Sequence, residues 1–199
     1  MNEAESAGVR RLPPGPHGIP RELVARNQRE RLIAAMAEVC GEGGYAAATV
    51  AEVAKRAGVS TASFYGQFKD RRECMLASFD ELFGRLLVEI ERACPAEGAP
   101  GARARVGASA AAALLADDPP TARLLSVEIL AVGSEGVRLQ HEAIERMADR
   151  LRDEAPGSRS RLPDAEWAVV AAMVALVGKR VAEGKGPDAA ELEALSALL

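Results

Sequence analysis

Hydroxyl, phenol, amide and ammonium side chains gather between Thr49 and Lys69, in the stretch TVAEVAKRAGVSTASFYGQFK. Groups of this kind donate hydrogen bonds to phosphate oxygens and to the edges of bases. Their chemistry is that of binding. Bond-making would need a nucleophile paired with a base, a glycine-rich phosphate loop or metal ligands at fixed spacing, and the sequence offers none of these. Cys40, Cys74 and Cys94 are too few and too widely spaced for a disulfide framework or a zinc site, and His17 and His141 lie far apart with no ligand pattern around them. No catalytic residue, metal site or cofactor is expected, and an enzyme built on Cys74 or His141 has no supporting constellation.

These donors need a rigid mount, and the same stretch encodes one. Val50 to Lys69 reads as a helix-turn-helix: Ala54 sits where two backbones must approach, and Gly58 where the turn needs a positive φ. Val53, Ala57, Val59 and Phe64 supply the apolar contacts between the two helices. Thr49 with Glu52 forms a T-x-x-E capping box for the first helix, and Ser60 is an N-cap for the second. Further out, Leu32, Ile33, Met36, Val39 and Cys40 give a preceding helix from Pro20 to a break at Gly41–Gly44. Asp70 with Glu73 caps a following one, whose face is Met75, Phe79, Leu82, Phe83, Leu86 and Ile90.

The segment Asn27 to Glu73 resembles the DNA-binding domain of the TetR family of bacterial transcriptional regulators. The resemblance rests on an ordered set: an amphipathic helix, Gly44–Tyr45 before the capping Thr49, AGVS, FY-x-x-F and KD-x-x-E, all in register. Gln67 stands where many relatives carry histidine, and Ala48 where a second threonine is common. A looser similarity in the second half, Pro119 to Leu125 and Arg180 to Gly184, points to one subgroup. The resemblance implies that Thr61, Ala62, Ser63 and Gly66 face bases, with Gln67 as a polar reader or phosphate contact. It implies that Thr49, Tyr65 and Lys69 clamp phosphates beside the backbone amides near Arg71. Ser60, which starts the reading helix, completes the DNA-facing set.

The whole chain agrees with such a protein. Its 199 residues are 48% hydrophobic but only 4% aromatic, and alanine is abundant, which favours closely packed helices over a β-sandwich. Residues 1–72 hold eleven Lys or Arg against eight Asp or Glu, while the remainder is acidic; a basic head on an acidic body suits phosphate attraction. No apolar run reaches eighteen residues and no secretory signal is visible, so no membrane role and a reducing, cytoplasmic setting are expected.

An all-α fold of about nine helices is predicted, in three parts. Residues 1–19, rich in proline and glycine, form a flexible arm; 20–69 form the DNA-binding head; 70–199 form a helical ligand-binding and dimerisation body. CPAEGAPG (Cys94–Gly101) reads as a loop, followed by helices over 103–116, 121–132 and 137–154, a PGSRSRLP linker (Pro156–Pro163), and helices over 164–183 and 189–199.

The resemblance implies a small-molecule cavity in the body, for which Phe79, Phe83, Leu114, Met147, Trp167 and Met173 are candidate lining residues and His141 a polar contact. One head reads too few base pairs to be specific, so a homodimer on double-stranded operator DNA is expected. Its seam is assigned to Trp167, Val170, Ala171, Val174 and Val177 with Leu192 and Leu195, which otherwise complete the monomer core. The expected function is a DNA-binding transcriptional regulator, a repressor released by a small-molecule effector; the alternative is a ligand-binding protein of the same fold with weak or lost operator binding.

Overall fold

A computed structural model describes residues 20–94, 100–153 and 164–198. The predicted arm over 1–19, most of the loop after Cys94 and the PGSRSRLP linker lie outside the described residues. Among those described there are nine α-helices and no strand: α1 (Arg21–Ala47), α2 (Val50–Ala57), α3 (Thr61–Tyr65), α4 (Arg71–Ala93), α5 (Pro100–Asp117), α6 (Pro119–Ser126), α7 (Ser134–Asp153), α8 (Ala165–Ala182) and α9 (Ala189–Ser196). A 3-10 helix, Glu128–Val132, joins α6 to α7.

The local start signals form as read. Thr49 Oγ1 accepts the Glu52 N–H at 3.2 Å, Ser60 Oγ that of Ser63 at 3.0 Å, and Asp70 Oδ1 that of Glu73 at 2.9 Å. The Glu73 carboxylate reaches back to the Lys69 N–H rather than to the cap residue itself. Gly58 closes α2 with φ 62°, and Arg31 from α1 donates to the carbonyls of Ala57 and Gly58, satisfying the helix end from outside.

Three boundaries differ from expectation. α1 continues through Gly41 and Gly43, and the helical dihedrals are interrupted only at Gly44, at φ 72°. Pro120 Cα and Cβ lie 3.1 Å from where a Gly41 Cβ would stand, so the absent side chain lets α6 approach this turn of α1. α5 begins at Pro100, ahead of the predicted Arg103. The single helix expected over 121–132 starts early, at Pro119 under an Asp118 cap on Thr121, and is broken at Val127, whose φ −123° and ψ −60° separate α6 from the 3-10 segment.

One apolar core runs through the molecule. Leu32, Met36 and Cys40 of α1, Phe64 and Phe68 after the turn, Met75, Phe79 and Phe83 of α4, Leu124 of α6 and Ile129 of the 3-10 helix belong to it. α1 packs against α2, α4 and α6, and α5 packs along α9. The reading helices are thus set on the same core as the body.

Candidate nucleic-acid interface and internal cavity

α3 is anchored from below by Phe64, fully buried and edge-on to Tyr65, with Phe68 next to it and Arg29 stacked 4.5 Å over the Phe68 ring. That anchor turns Thr61, Ala62, Tyr65 and Gly66 to solvent, with Ser63 half-buried. Tyr65 is 60% exposed, too much surface for an aromatic that merely packs. Thr49 and Lys69, also exposed, flank it at the starts of α2 and α4. The outer surface is therefore small side chains in the middle, where a helix can approach a groove closely, with hydroxyls and an ammonium at the edge.

Two expected members of this set are engaged inside the protein. Gln67 Nε2 donates to the Ala25 carbonyl of α1 at 3.2 Å, so the amide nitrogen ties the reading turn to α1 and leaves the side-chain oxygen for any outside contact. The Arg71 guanidinium stacks 4.7 Å over the Tyr45 ring, and its contribution to the surface is the helix start rather than a free charge. Arg56 is likewise held, by Glu38 and by a two-pronged contact with Glu42.

The Gly44–Tyr45 corner beneath these residues is gripped from the body. Glu128 is 8% exposed; its Oε2 accepts the Tyr45 N–H at 2.8 Å and its Oε1 the Arg123 Nε at 2.8 Å. The carboxylate lies 3.2 Å from the site of a Gly44 Cβ, so this corner needs glycine for space as well as for its φ. Nothing local to Glu128 in the sequence marked it. Of the three thiols, Cys40 and Cys74 are buried and pushed up to about 12, chiefly by desolvation, which removes them from thiolate chemistry at neutral pH.

The body holds a cavity of ≈ 180 Å³, partly open to solvent and lined by residues of α4 to α9. α4 contributes Phe79, Phe83, Leu86, Leu87, Ile90, Glu91 and Cys94, a single helical stripe. From Phe79 to Cys94 it is ~22 Å long at 1.5 Å per residue. α7 adds Gln140, Ile144, Met147 and Arg150 opposite. Of the expected lining residues, Phe79, Phe83, Met147 and Met173 are present, and Leu114, His141 and Trp167 are not. α5 turns Ala108, Ala111 and Leu115 inward, which puts Leu114 off the wall. His141 is exposed and meets Trp167 edge-on at 6.0 Å away from the cavity.

Part of the assigned dimer stripe faces inward in the subunit. Val170, Val174, Val177 and Leu192 line the cavity. The exposed face of α8 is Ala168, Ala172 and Ala175, with Ala171 and Trp167 of the stripe half-buried beside it; Leu195 of α9 is half-buried, and Leu198 beyond it is exposed. α8 is apolar nearly all round, so its periodicity gave no way to tell inside from outside.

Residues 32–77 match the family described as bacterial regulatory proteins, tetR family. No protein of curated function matches the sequence. Among solved structures, the fatty acid degradation regulator FadR from Bacillus halodurans is similar at TM-score 0.74 and 19% identity, over 86% of this chain and 93% of that one. FadR from Bacillus subtilis, in complex with stearoyl-CoA, is similar at TM-score 0.72 and 21% identity, over 85% and 96%. A TetR-like transcriptional regulator from Rhodococcus sp. RHA1 aligns at TM-score 0.67 and 15% identity, over 90% and 96%. At these identities the likeness is one of fold.

Proposed function

We propose that this chain, whose residues 32–77 match the tetR family of bacterial regulatory proteins, acts as a homodimeric repressor released from its operator by an apolar, chain-bearing effector. The observation that carries the reading is the outward presentation of α3: Thr61, Ala62 and Tyr65 stand in solvent over a fully buried Phe64. In operator binding, Thr61, Ala62, Ser63 and Gly66 meet base edges, while Tyr65, Lys69, Thr49 and the α4 amides at Arg71 hold phosphates. Ser60 keeps α3 wound, and Gln67 sets its angle against α1.

Two such heads are brought onto one duplex by pairing of the body. The exposed α8 face of Ala168, Ala172 and Ala175, with half-buried Ala171 beside it, supports this role, since small side chains allow a second helix to lie close. The effector fills the cavity along α4, the helix whose first turn carries Arg71. An effector acts only through its different affinity for DNA-competent and released arrangements, and α4 is the element common to both sites. The bound stearoyl-CoA of the Bacillus subtilis structure and the long apolar wall of this cavity support a fatty acyl chain.

The test is to recover genomic fragments bound by the protein at physiological salt, then challenge the complexes with stearoyl-CoA. A discrete palindromic site that is lost on addition of the thioester is expected. Binding that vanishes above low salt, without sequence preference, would reject operator recognition.

A further inference from the structure

The cavity is chemically lopsided. Along the α4 stripe every side chain from Phe79 to Ile90 is apolar, and charge appears only past Ile90, where Glu91 of α4 forms an ion pair with Arg150 of α7. Outside that pair the polar lining groups have no donor to spare. Ser126 Oγ donates to the Ala122 carbonyl at 2.6 Å, Gln140 Nε2 to those of Leu125 and Ser126 at 3.1 and 3.4 Å, and Ser196 Oγ to that of Glu193 at 2.7 Å. An anion set against these groups would meet only acceptors, at a cost no apolar contact offsets. Arg150 is the one cation on the cavity wall among the described residues.

Resting on the reading of this cavity as the effector site, we propose that its charged end is the headgroup subsite. The anionic oxygen of an amphiphilic effector takes the place of Glu91 on Arg150, and the tail lies along α4 towards Phe79. The exchange is inexpensive because both partners already reach water: the side chains of Arg150 and Glu91 are 44% and 56% exposed, so the displaced carboxylate is hydrated at once. Arginine can then receive carboxylate or phosphate oxygens through paired N–H groups. The exchange also cuts a tie between α4 and α7, which are otherwise bridged near this face by Arg146 with Asp80 and by Arg72 with Glu135. A neutral molecule of the same shape would fill the tail space and leave that tie intact.

The experiment measures binding of stearate, stearoyl-CoA and octadecanol to the intact protein by displacement of a fluorescent fatty acid, for wild type, Arg150→Gln and Glu91→Gln. Both substitutions are at the surface and leave the fold in place, which a thermal melt checks. Wild type should prefer at least one anionic ligand over octadecanol by about tenfold, the scale of one charge-assisted contact in partial water. Arg150→Gln should abolish that preference, Glu91→Gln should increase it, and octadecanol affinity should stay within about twofold in both. Dependence on Arg150 for stearate identifies a carboxylate head; dependence for stearoyl-CoA alone identifies phosphate oxygens. Binding of octadecanol by wild type as tight as that of both anionic ligands, or parallel losses for all three ligands in Arg150→Gln, would overturn the headgroup assignment while leaving the cavity as a tail site. Failure of all three ligands to bind would sink the effector reading as well.

Discussion

Replacing Glu128 with glutamine tests whether the body holds the Gly44–Tyr45 corner through that one carboxylate. Each of its oxygens has its own donor: Oε2 receives the Tyr45 N–H and Oε1 the Arg123 Nε, both at 2.8 Å. Glutamine keeps the size but offers one oxygen and one NH2, so one of the two donors must face another donor. Hydrogen bonds to a charged group contribute about 1.5–3 kcal/mol and neutral ones about 0.5–1.5. One bond is lost and the other becomes neutral, but the Arg123 side chain is 37% exposed and regains water, which reduces the cost. About 2 kcal/mol of destabilisation is expected, or a fall in Tm of about 4–8 °C for a chain of this size, read by circular dichroism. Glu128→Gln should also weaken operator binding, because the corner leads directly into the Thr49 cap. A melting temperature within a degree of wild type would refute the clamp.

Other outcomes follow from the same geometry. Tyr65→Phe should weaken binding to every DNA sequence alike, by about fivefold for one lost hydrogen bond, whereas Thr61 or Ser63 substitutions should alter sequence preference in a binding-site selection. At pH 8 a thiol reagent should modify the half-buried Cys94 in the native protein and reach Cys40 and Cys74 only after denaturation, since burial holds both near 12. Because those folded-state values lie above the ordinary 9.0, the contribution of the two thiols to stability is complete below about pH 9 and is lost as pH rises towards 12, a trend that denaturant midpoints taken from pH 8 upwards should follow. Ala172→Glu should give monomers by sedimentation without loss of thermal stability, while Val174→Glu should lower Tm by placing a charge on the cavity wall.

What the sequence disclosed divides along the range of the interactions involved. The caps at Thr49, Ser60 and Asp70, the turn at Gly58 and the burial of Phe64 depend on neighbours within a few residues, and they form as expected. The link from Gln67 to Ala25 and that from Glu128 to Tyr45 join positions 42 and 83 residues apart, and no local pattern encodes them. Gly41 and Gly43 looked like a helix stop, but packing of α6 against α1 outweighs their poor helix propensity, a difference of about 1 kcal/mol each. The cavity wall was legible where one face was apolar and the other charged, as on α4 and α7. It was not legible on α8, where alanine and valine surround the helix, nor at Leu114 and Leu115, where adjacent leucines take different surroundings.

The contact of Gly41 with Pro120 has a mechanical consequence. α6 touches the cavity through Ala122 and Leu125 and touches α1 through Pro120 only two residues earlier, with no side chain on the α1 side of that contact. Long side chains between two helices can change rotamer and absorb a small shift; bare backbone against a proline ring cannot. At this contact there is thus no flexible side chain to take up a shift of α6 before it meets α1, the helix to which Gln67 fastens the turn after α3.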